Sequence, residues 1–401
     1  MVRQSVGARD LERTATSQSA PCGSKVTSAV SIETHVVPIC DSPSTKNPVA
    51  IRQEGVGNCV KTPRRNGVHC QHGVREVFSM KAVVRDRYGP PDVLRLEEVP
   101  KPSVGDDGVL IRVRATSLNG SDWEGLRGTP LYARVFGLLK PKVRILGSDI
   151  AGQIEAVGRS VTQFQPGDEV FGDTMYCGCG GFAEYVCVPE SAPLVRKPAG
   201  LTFEQVATLP QGGGLALQGI RDQRKIHPGD RVLVNGAGGS AGPFAMQIAK
   251  LHGAEVTGVD NTGKLDMLRS IGADHVVDYT REDFSRQGRR YDLILDFSAH
   301  RSIFTCRRAL APGGTYAMVG GSMSALLQSL LVGCLLSKTG SRKLGVLGHR
   351  QNREDLTFLA GLLETGTVGP VIDRRYPLTE AADALRHLGE RRALGKVVIT
   401  V

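Results

Sequence analysis

The chain has 401 residues, 40% hydrophobic, 22% charged and 5% aromatic, with a formal net charge of +10. That length supports two ordinary domains with real cores, and the composition is that of a globular protein, not a fibrous or unfolded one. Part of the positive charge sits in residues 1–79, with ten Lys/Arg against six Asp/Glu; no run interleaves cations with aromatics, so no nucleic-acid partner is indicated.

Residues 1–79 lack sustained periodicity and are rich in Ser, Thr, Arg and Gly. No apolar core follows the start, as a secretory signal requires; a transit peptide stays open, weakened by Asp10 and Glu12. The segment reads as a disordered or spurious extension, with Met80 as the natural start. From Met80 to about Pro198, short alternating runs are separated by Gly, Pro and Asp turns. VLIRVRAT (Val109 to Thr116), GSDIAGQIEAVG (Gly147 to Gly158), DEVFG and FAEYVCVP follow one another. This pattern predicts a mostly β domain over residues 80–203.

Strand-like and helical runs then alternate. RVLVNG precedes a helix near Ala241 to Leu251, EVTGVD precedes one near Lys264 to Ile271, and HVVDY, DLILDF and TYAMVG continue the series. Such βα alternation predicts a parallel, doubly wound sheet over residues 204–350. Residues 351–401 end in PVIDRRYPL, a helix and GKVVITV, read as a return to the first domain. The apolar run Ala325 to Leu336 is too short to span a membrane; it predicts a buried or interface helix.

VLVNGAGGSAG (Val232 to Gly242) carries the most chemistry. A strand runs into Gly236, Gly238, Gly239, Ser240, Ala241 and Gly242, and a helix pattern follows. Glycines let backbone approach a pyrophosphate, and the helix N-terminus offers it unpaired N–H groups. The spacing is GxGGxxG, one residue longer than the strict fingerprint. Asp260 ends the next strand, 18 residues after Gly242, where an acid accepts from an adenosine ribose or simply forms a turn. Gly320, closing TYAMVG, is placed with this group. The expected ligand is a nicotinamide dinucleotide.

These residues resemble a known family. From Met80 to Val401 the chain is similar to the zinc-independent medium-chain dehydrogenase/reductases, closest to the quinone oxidoreductases. The likeness is carried by GSDIAGQIEAVGRSVTQFQPGDEVFG (Gly147 to Gly172), SLNGSDWEGLRG (Ser117 to Gly128), the glycine loop, GADHVVDYTREDF (Gly272 to Phe284) and GKVVI (Gly395 to Ile399). It implies an α/β chain with a GroES-like β-barrel catalytic domain, a Rossmann domain and an active site between them. Zinc-using relatives place metal ligands where this chain has Asn119, Ser148 and Gln211. None is a Cys or His, and amides and hydroxyls bind Zn²⁺ poorly. Cys177 and Cys179 form a lone C-x-C, so no metal site is expected.

Hydride transfer to a quinone or α,β-unsaturated carbonyl is the chemistry left without a Lewis acid, since the product charge delocalises. A zinc-free alcohol dehydrogenase, or a cofactor-binding protein with a structural or regulatory role, stays open. Asn119 and Asp122 are the expected catalytic residues: Asn119 to donate to an oxyanion or hold the nicotinamide ribose, Asp122 to organise it or merely to cap a turn. His227, His252, His275 and His300 read as solvated or satisfied; for His300, just after a strand, a place near the cofactor stays open as the alternative. Lys264 and Tyr279, with Arg391 or Arg392, match positions that hold an NADPH 2′-phosphate in the family, while Asp260 favours NADH; use of both, NADPH slightly preferred, is expected. Nine cysteines without paired spacing suit a reducing, cytoplasmic setting. A small-molecule substrate is the expected partner, and the resemblance adds a homodimer.

Overall fold

The computed structural model describes residues 78–135 and 137–401; the expectations for residues 1–77 lie outside them. The first strand opens at Ser79, one residue before Met80, whose side chain is buried. This strand, β1 (Ser79–Val84), pairs antiparallel with β2 (Arg95–Pro100). β3 (Gly108–Ser117), α1 (Gly120–Arg127), β4 (Asp149–Val157), β5 (Glu169–Asp173), β6 (Tyr185–Pro189) and β7 (Leu194–Arg196) follow. Within β3 the alternation read from sequence is only partial: Arg112 and Arg114 stay outside, but Val109 to Ile111 and Ala115 to Ser117 are all buried. The cause is a second layer. The short helix α2 (Phe203–Ala207) lies across β3 and β4, and its Val206 and Ala207 join a core with Ala115, Ala151 and Phe171.

A π turn, Leu209–Gly213, leads into α3 (Gly214–Arg221). Then come β8 (Arg231–Asn235), α4 (Gly242–Leu251), β9 (Glu255–Asp260), α5 (Leu265–Ser270), β10 (His275–Asp278), β11 (Tyr291–Asp296), α6 (Ile303–Ala309) and β12 (Leu310–Met318). α7 (Met323–Leu327), a π turn and α8 (Cys334–Lys338) precede β13 (Lys343–Val346). The six strands are parallel in the order β10-β9-β8-β11-β12-β13. This is the doubly wound arrangement, with the order reversing between β8 and β11. Strands covered by helices on both faces must be apolar throughout; β8 runs Val-Leu-Val, all buried.

The end of the chain, α9 (Arg353–Glu364), β14 (Ile372–Pro377), α10 (Ala381–Gly389) and β15 (Lys396–Thr400), returns to the first sheet. That sheet runs β14-β15-β3-β4-β5-β7, with β6 on β3. The antiparallel strands form the GroES-like part and the parallel sheet the Rossmann part. α9 joins them: Leu359 and Leu363 share one core with Leu217 of α3.

Of the two expectations for Ala325 to Leu336, a buried or an interface helix, the first does not hold, because the segment is largely open. Ala325, Ser329 and Gly333 face inward, while Leu327, Leu330, Leu331 and Leu335 are exposed. A helix on the rim of a sheet has only one face to bury, and here the small residues take it. Among the described residues no helix is long and apolar enough to cross a membrane.

Candidate active site

A cleft of about 1020 Å³ opens between the two sheets where the parallel strand order reverses. Crevices beyond the carboxyl ends of strands at that point are the general ligand site of such folds. Buried polar bonds fix it. Asn235, ending β8, donates through Nδ2 to Asp296 Oδ1 (2.6 Å) at the end of β11, and Tyr316 of β12 donates to Asp296 Oδ2 (3.1 Å). Burial pushes the Asp296 carboxyl above its usual range, with these donors opposing.

The glycines after β8 divide the work. Gly236 turns the chain with φ +77°, a conformation that favours glycine. Gly239 faces the cleft, and a Cβ there would meet only Gly236 O, at 3.3 Å. Gly242 faces inward: a Cβ would fall 2.3 Å from Ala237 O. Gly238 is also internal. Its N–H donates to Asp260 Oδ2 (2.8 Å), and its carbonyl accepts from Gly395 N–H (2.9 Å), tying the loop to the chain just before β15. Gly236, Gly239, Ser240 and Ala241 therefore line the cleft, while Gly238 and Gly242 shape the loop from behind.

Asp260, Lys264 and Tyr279 meet at one end of the cleft. Asp260 also accepts from Asn261 N–H (2.9 Å) and pairs with Lys264 Nζ (3.6 Å); both side chains are nearly buried. Tyr279 is exposed, its backbone N–H bonded to Asp260 O (3.1 Å). Gly320 lines the middle, and His300 and Arg391 stand together, Nη2 to Nε2 3.4 Å apart. Arg391 is thus the terminal cation at the cleft. Arg392 pairs instead with Glu390 at 2.6 Å.

Asn119 and Asp122 are placed differently from the expectation: neither side chain lines the cleft. Asn119 is 1% exposed; its Nδ2 donates to Asp149 Oδ2 (2.8 Å) and its Oδ1 accepts from Lys396 Nζ (2.8 Å). With its carbonyl and one amide hydrogen committed inside the protein, the Asn119 side chain does not face the cleft in which an oxyanion would form. Asp122 accepts from Asn119 N–H (2.8 Å) and Gly147 N–H (3.2 Å), the turn-capping alternative, and burial pushes it up to about 7.

Sequence reasoning missed the hub of this network. Asp149, fully buried in β4, accepts from Ser117 Oγ (3.0 Å), Asn119 Nδ2, Gln211 N–H (3.0 Å) and Lys396 Nζ (3.1 Å). Its signal was present, since a charge inside an apolar strand, as in SDIAG and GKVVI, needs a partner. Gln211 is the inner residue whose side chain reaches the cleft. Its Oε1 accepts from Ser121 Oγ (2.6 Å), but its Nε2 faces only the Met175 sulfur at 3.7 Å, a weak acceptor.

Across the cleft stand Trp123, Glu124, Tyr132 and Met175. Burial raises Glu124 to about 7. Tyr132 Oη lies 3.1 Å from Glu124 Oε1 and donates to Gly321 O (3.0 Å). A phenol has one proton, so a protonated Glu124 donating to Tyr132 completes the chain. Among the described residues of Thr129 to Val143 only Tyr132 lines the cleft, and none of Gly321 to Gly340 does. Among the described residues no three His, Cys, Asp or Glu side chains cluster as a metal site would require.

The zinc-binding dehydrogenase family model matches residues 271–399 and the alcohol dehydrogenase GroES-like domain model residues 105–199. A 2-methylene-furan-3-one reductase from Solanum lycopersicum is 32% identical, the match covering 80% of this chain and 79% of that protein. An NADPH-dependent alkenal/one oxidoreductase, chloroplastic, from Arabidopsis thaliana is 31% identical over 92% of this chain and 95% of its own. Among solved structures, the quinone oxidoreductase from Coxiella burnetii superposes with a TM-score of 0.73 at 28% identity, covering 81% of this chain and all of that one.

Proposed function

The chain belongs to the medium-chain dehydrogenase/reductases of the quinone-oxidoreductase-like type, and from that premise we propose that it reduces a quinone or α,β-unsaturated carbonyl with NADPH or NADH, without zinc. The observation that carries the reading is Lys396. Its Nζ lies 2.8 Å from Asn119 Oδ1 and 3.1 Å from Asp149 Oδ2, among the residues that stand at zinc-ligand positions. A fixed cation there opposes a second one, and the neighbouring amides and hydroxyl are poor zinc ligands.

The residues present fit a dinucleotide. Gly239 leaves room for backbone to approach a pyrophosphate at the start of α4. Asp260 faces the ribose end beside Lys264 and Tyr279, and Gly320 and His300 follow toward the middle of the cleft. A reduced nicotinamide bound there supplies a hydride. The protein's part is to hold the acceptor, keep water away and stabilise the charge that develops. Gln211 Nε2, facing only a thioether, is the donor for the substrate oxygen, and Ser121 fixes the amide's orientation. Asn119, Asp122 and Asp149 act as positioning residues behind it.

Both cofactors are accepted in this reading, NADPH slightly better. Asp260 carries a charge that repels a 2′-phosphate, but it already accepts two N–H bonds and sits beside Lys264. The expected cytoplasmic location gains no support from the Arabidopsis relative, which is named as chloroplastic. A homodimer is read directly by light scattering.

The decisive experiment follows oxidation of each reduced cofactor with a panel of quinones, enones and, in reverse, alcohols, in the presence of a chelator. Reduction of the unsaturated acceptors with undiminished rate in chelator is expected. Activity confined to alcohols, or lost with one bound zinc per chain, overturns the proposal.

A further inference from the structure

Behind the inner end of the cleft lies a second cavity of about 10 Å³, close to the space one water molecule needs. Its walls include Asp173, Gly214, Gln218, His349 and Gln351. His349 also lines the cleft, so its ring forms part of the wall of both.

The ring is held there. A Cβ on Gly214 would come within 2.8 Å of His349 Nε2, so only glycine leaves it that position. The next residue is strapped down: Arg350 N–H donates to Gln218 Oε1 (3.0 Å), and Gln218 Nε2 donates to Arg350 O (2.6 Å) and Asp355 Oδ2 (2.7 Å). Asp355 is itself paired with Arg221 at 2.5 Å. On the far side, Asp173 is 2% exposed. Its Oδ1 accepts from Met175 N–H (2.9 Å); its Oδ2 and the Gln351 amide nitrogen face each other, too loosely to satisfy either atom. A buried carboxyl oxygen without a partner calls for a proton or a bridging water.

We propose that His349 delivers the proton to the substrate carbon and is resupplied from the Asp173 carboxyl through one water in the small cavity. This rests on the hydride-transfer reading above. Addition of hydride to the β-carbon of an enone leaves an enolate. In this step one imidazole N–H breaks as the Cα–H bond forms, and the other ring nitrogen takes a proton from the water, which takes that of Asp173. No further electrons move. Solvent reprotonates Asp173 and resets the ring tautomer after product leaves.

The charges agree with these roles. Burial, then the Asp149 and Asp122 charges, push Asp173 up to about 8 against the opposing Met175 N–H and Gln351 amide, so it holds its proton at neutral pH. Burial pulls the His349 imidazole below its ordinary range, against Asp149 and Asp355, so the ring is neutral and can pass a proton through itself. Arg350 lines the same cavity. The Tyr132–Glu124 pair across the cleft is the competing donor.

Two acceptors separate the cases, because a reduced quinone takes its protons on oxygen, directly from water, whereas an enolate carbon is protonated slowly. The full chain and its His349→Gln, Asp173→Asn and Gly214→Ala variants are assayed with a para-quinone and a simple enone. His349→Gln should raise the quinone-to-enone kcat ratio on the order of 100-fold, the usual scale of one general acid. Asp173→Asn and Gly214→Ala should raise it less, and deuterium from D₂O should lose its facial preference at Cα. An unchanged ratio in folded His349→Gln, or a selective loss in Tyr132→Phe alone, overturns the proposal. If His349→Gln does not fold, Gly214→Ala decides by the same ratio. Wild-type protein that reduces the quinone but not the enone refutes the proton relay alone; one that reduces neither refutes the hydride-transfer reading as well.

Discussion

Lys396 Nζ stands 3.1 Å from Asp149 Oδ2, and the two side chains are 1% and 0% exposed. A pair buried this deeply stabilises little against an apolar replacement of both members, because desolvation offsets attraction. Breaking it is another matter. Lys396→Met leaves Asp149 charged and uncompensated and should cost about 3–5 kcal/mol, read as a fall in the denaturant midpoint. Adding Asp149→Asn, which keeps an acceptor for the neighbouring donors but removes the unpaired charge, should restore most of that loss. A Lys396→Met variant as stable as wild type would show that the pair does not organise the site.

The fold was legible because its signals are local. Val232 to Asn235 reads as a buried strand, Gly236 to Gly242 as a turn and Pro243 to Leu251 as a helix, each from its own residues, and the structure has each element within a residue or two. The candidate site was less legible because it depends on contacts across the chain. Asn119 looked available for substrate from its position alone; its amide is taken by Asp149 and by Lys396, 277 residues away. Gln211 was considered only as an absent zinc ligand. His349 lies in a loop without periodicity, and only the packing of Gly214 against its ring reveals its place.

The two loop glycines should fail in different ways. In Gly239→Val the first added carbon meets only one carbonyl, at 3.3 Å, and the rest points into the cleft. That variant should fold with a near-normal Tm and lose dinucleotide binding at least tenfold, about 1.4 kcal/mol, in a fluorescence titration. In Gly242→Val the added carbon would lie 2.3 Å from Ala237 O, and overpacking of about 1–3 kcal/mol should lower Tm before binding is considered. Equal behaviour of the two variants would contradict this division.

Stability should fall as pH rises through neutrality. Burial pushes Glu124 from 4.5 up to about 7. Above the unfolded value the unfolded chain releases this proton while the folded one keeps it, so stability present at low pH declines across the window from 4.5 to about 7. Asp122, raised to about 7, and Asp173, raised to about 8, act in the same direction. Glu124→Gln, which keeps the hydrogen bond to Tyr132 without a titrating proton, should flatten the slope of Tm against pH in that window. An unchanged slope would mean that Glu124 is ionised in the folded protein.

In the proposed reading, cofactor choice turns on Asp260. Its carboxylate and the Lys264 ammonium are 3.6 Å apart and lie together at the edge of the cleft, beside Tyr279. A 2′-phosphate entering there meets one anion and one cation that already interact. At ~4 Å and an effective dielectric of ~20, a single charge pair is worth about 4 kcal/mol before screening, so the two nearly cancel and neither cofactor is strongly refused. Asp260→Ser removes the anion, keeps an oxygen that can accept from Gly238 N–H, and frees Lys264 for the phosphate. The ratio of kcat/KM for NADPH over NADH should therefore rise on the order of tenfold, a change of about 1.4 kcal/mol, and the rise should shrink as salt screens Lys264. Lys264→Met should move the ratio the other way. If Asp260→Ser leaves the ratio where it was, the carboxylate does not face the ribose, and its role is confined to holding the glycine loop through Gly238.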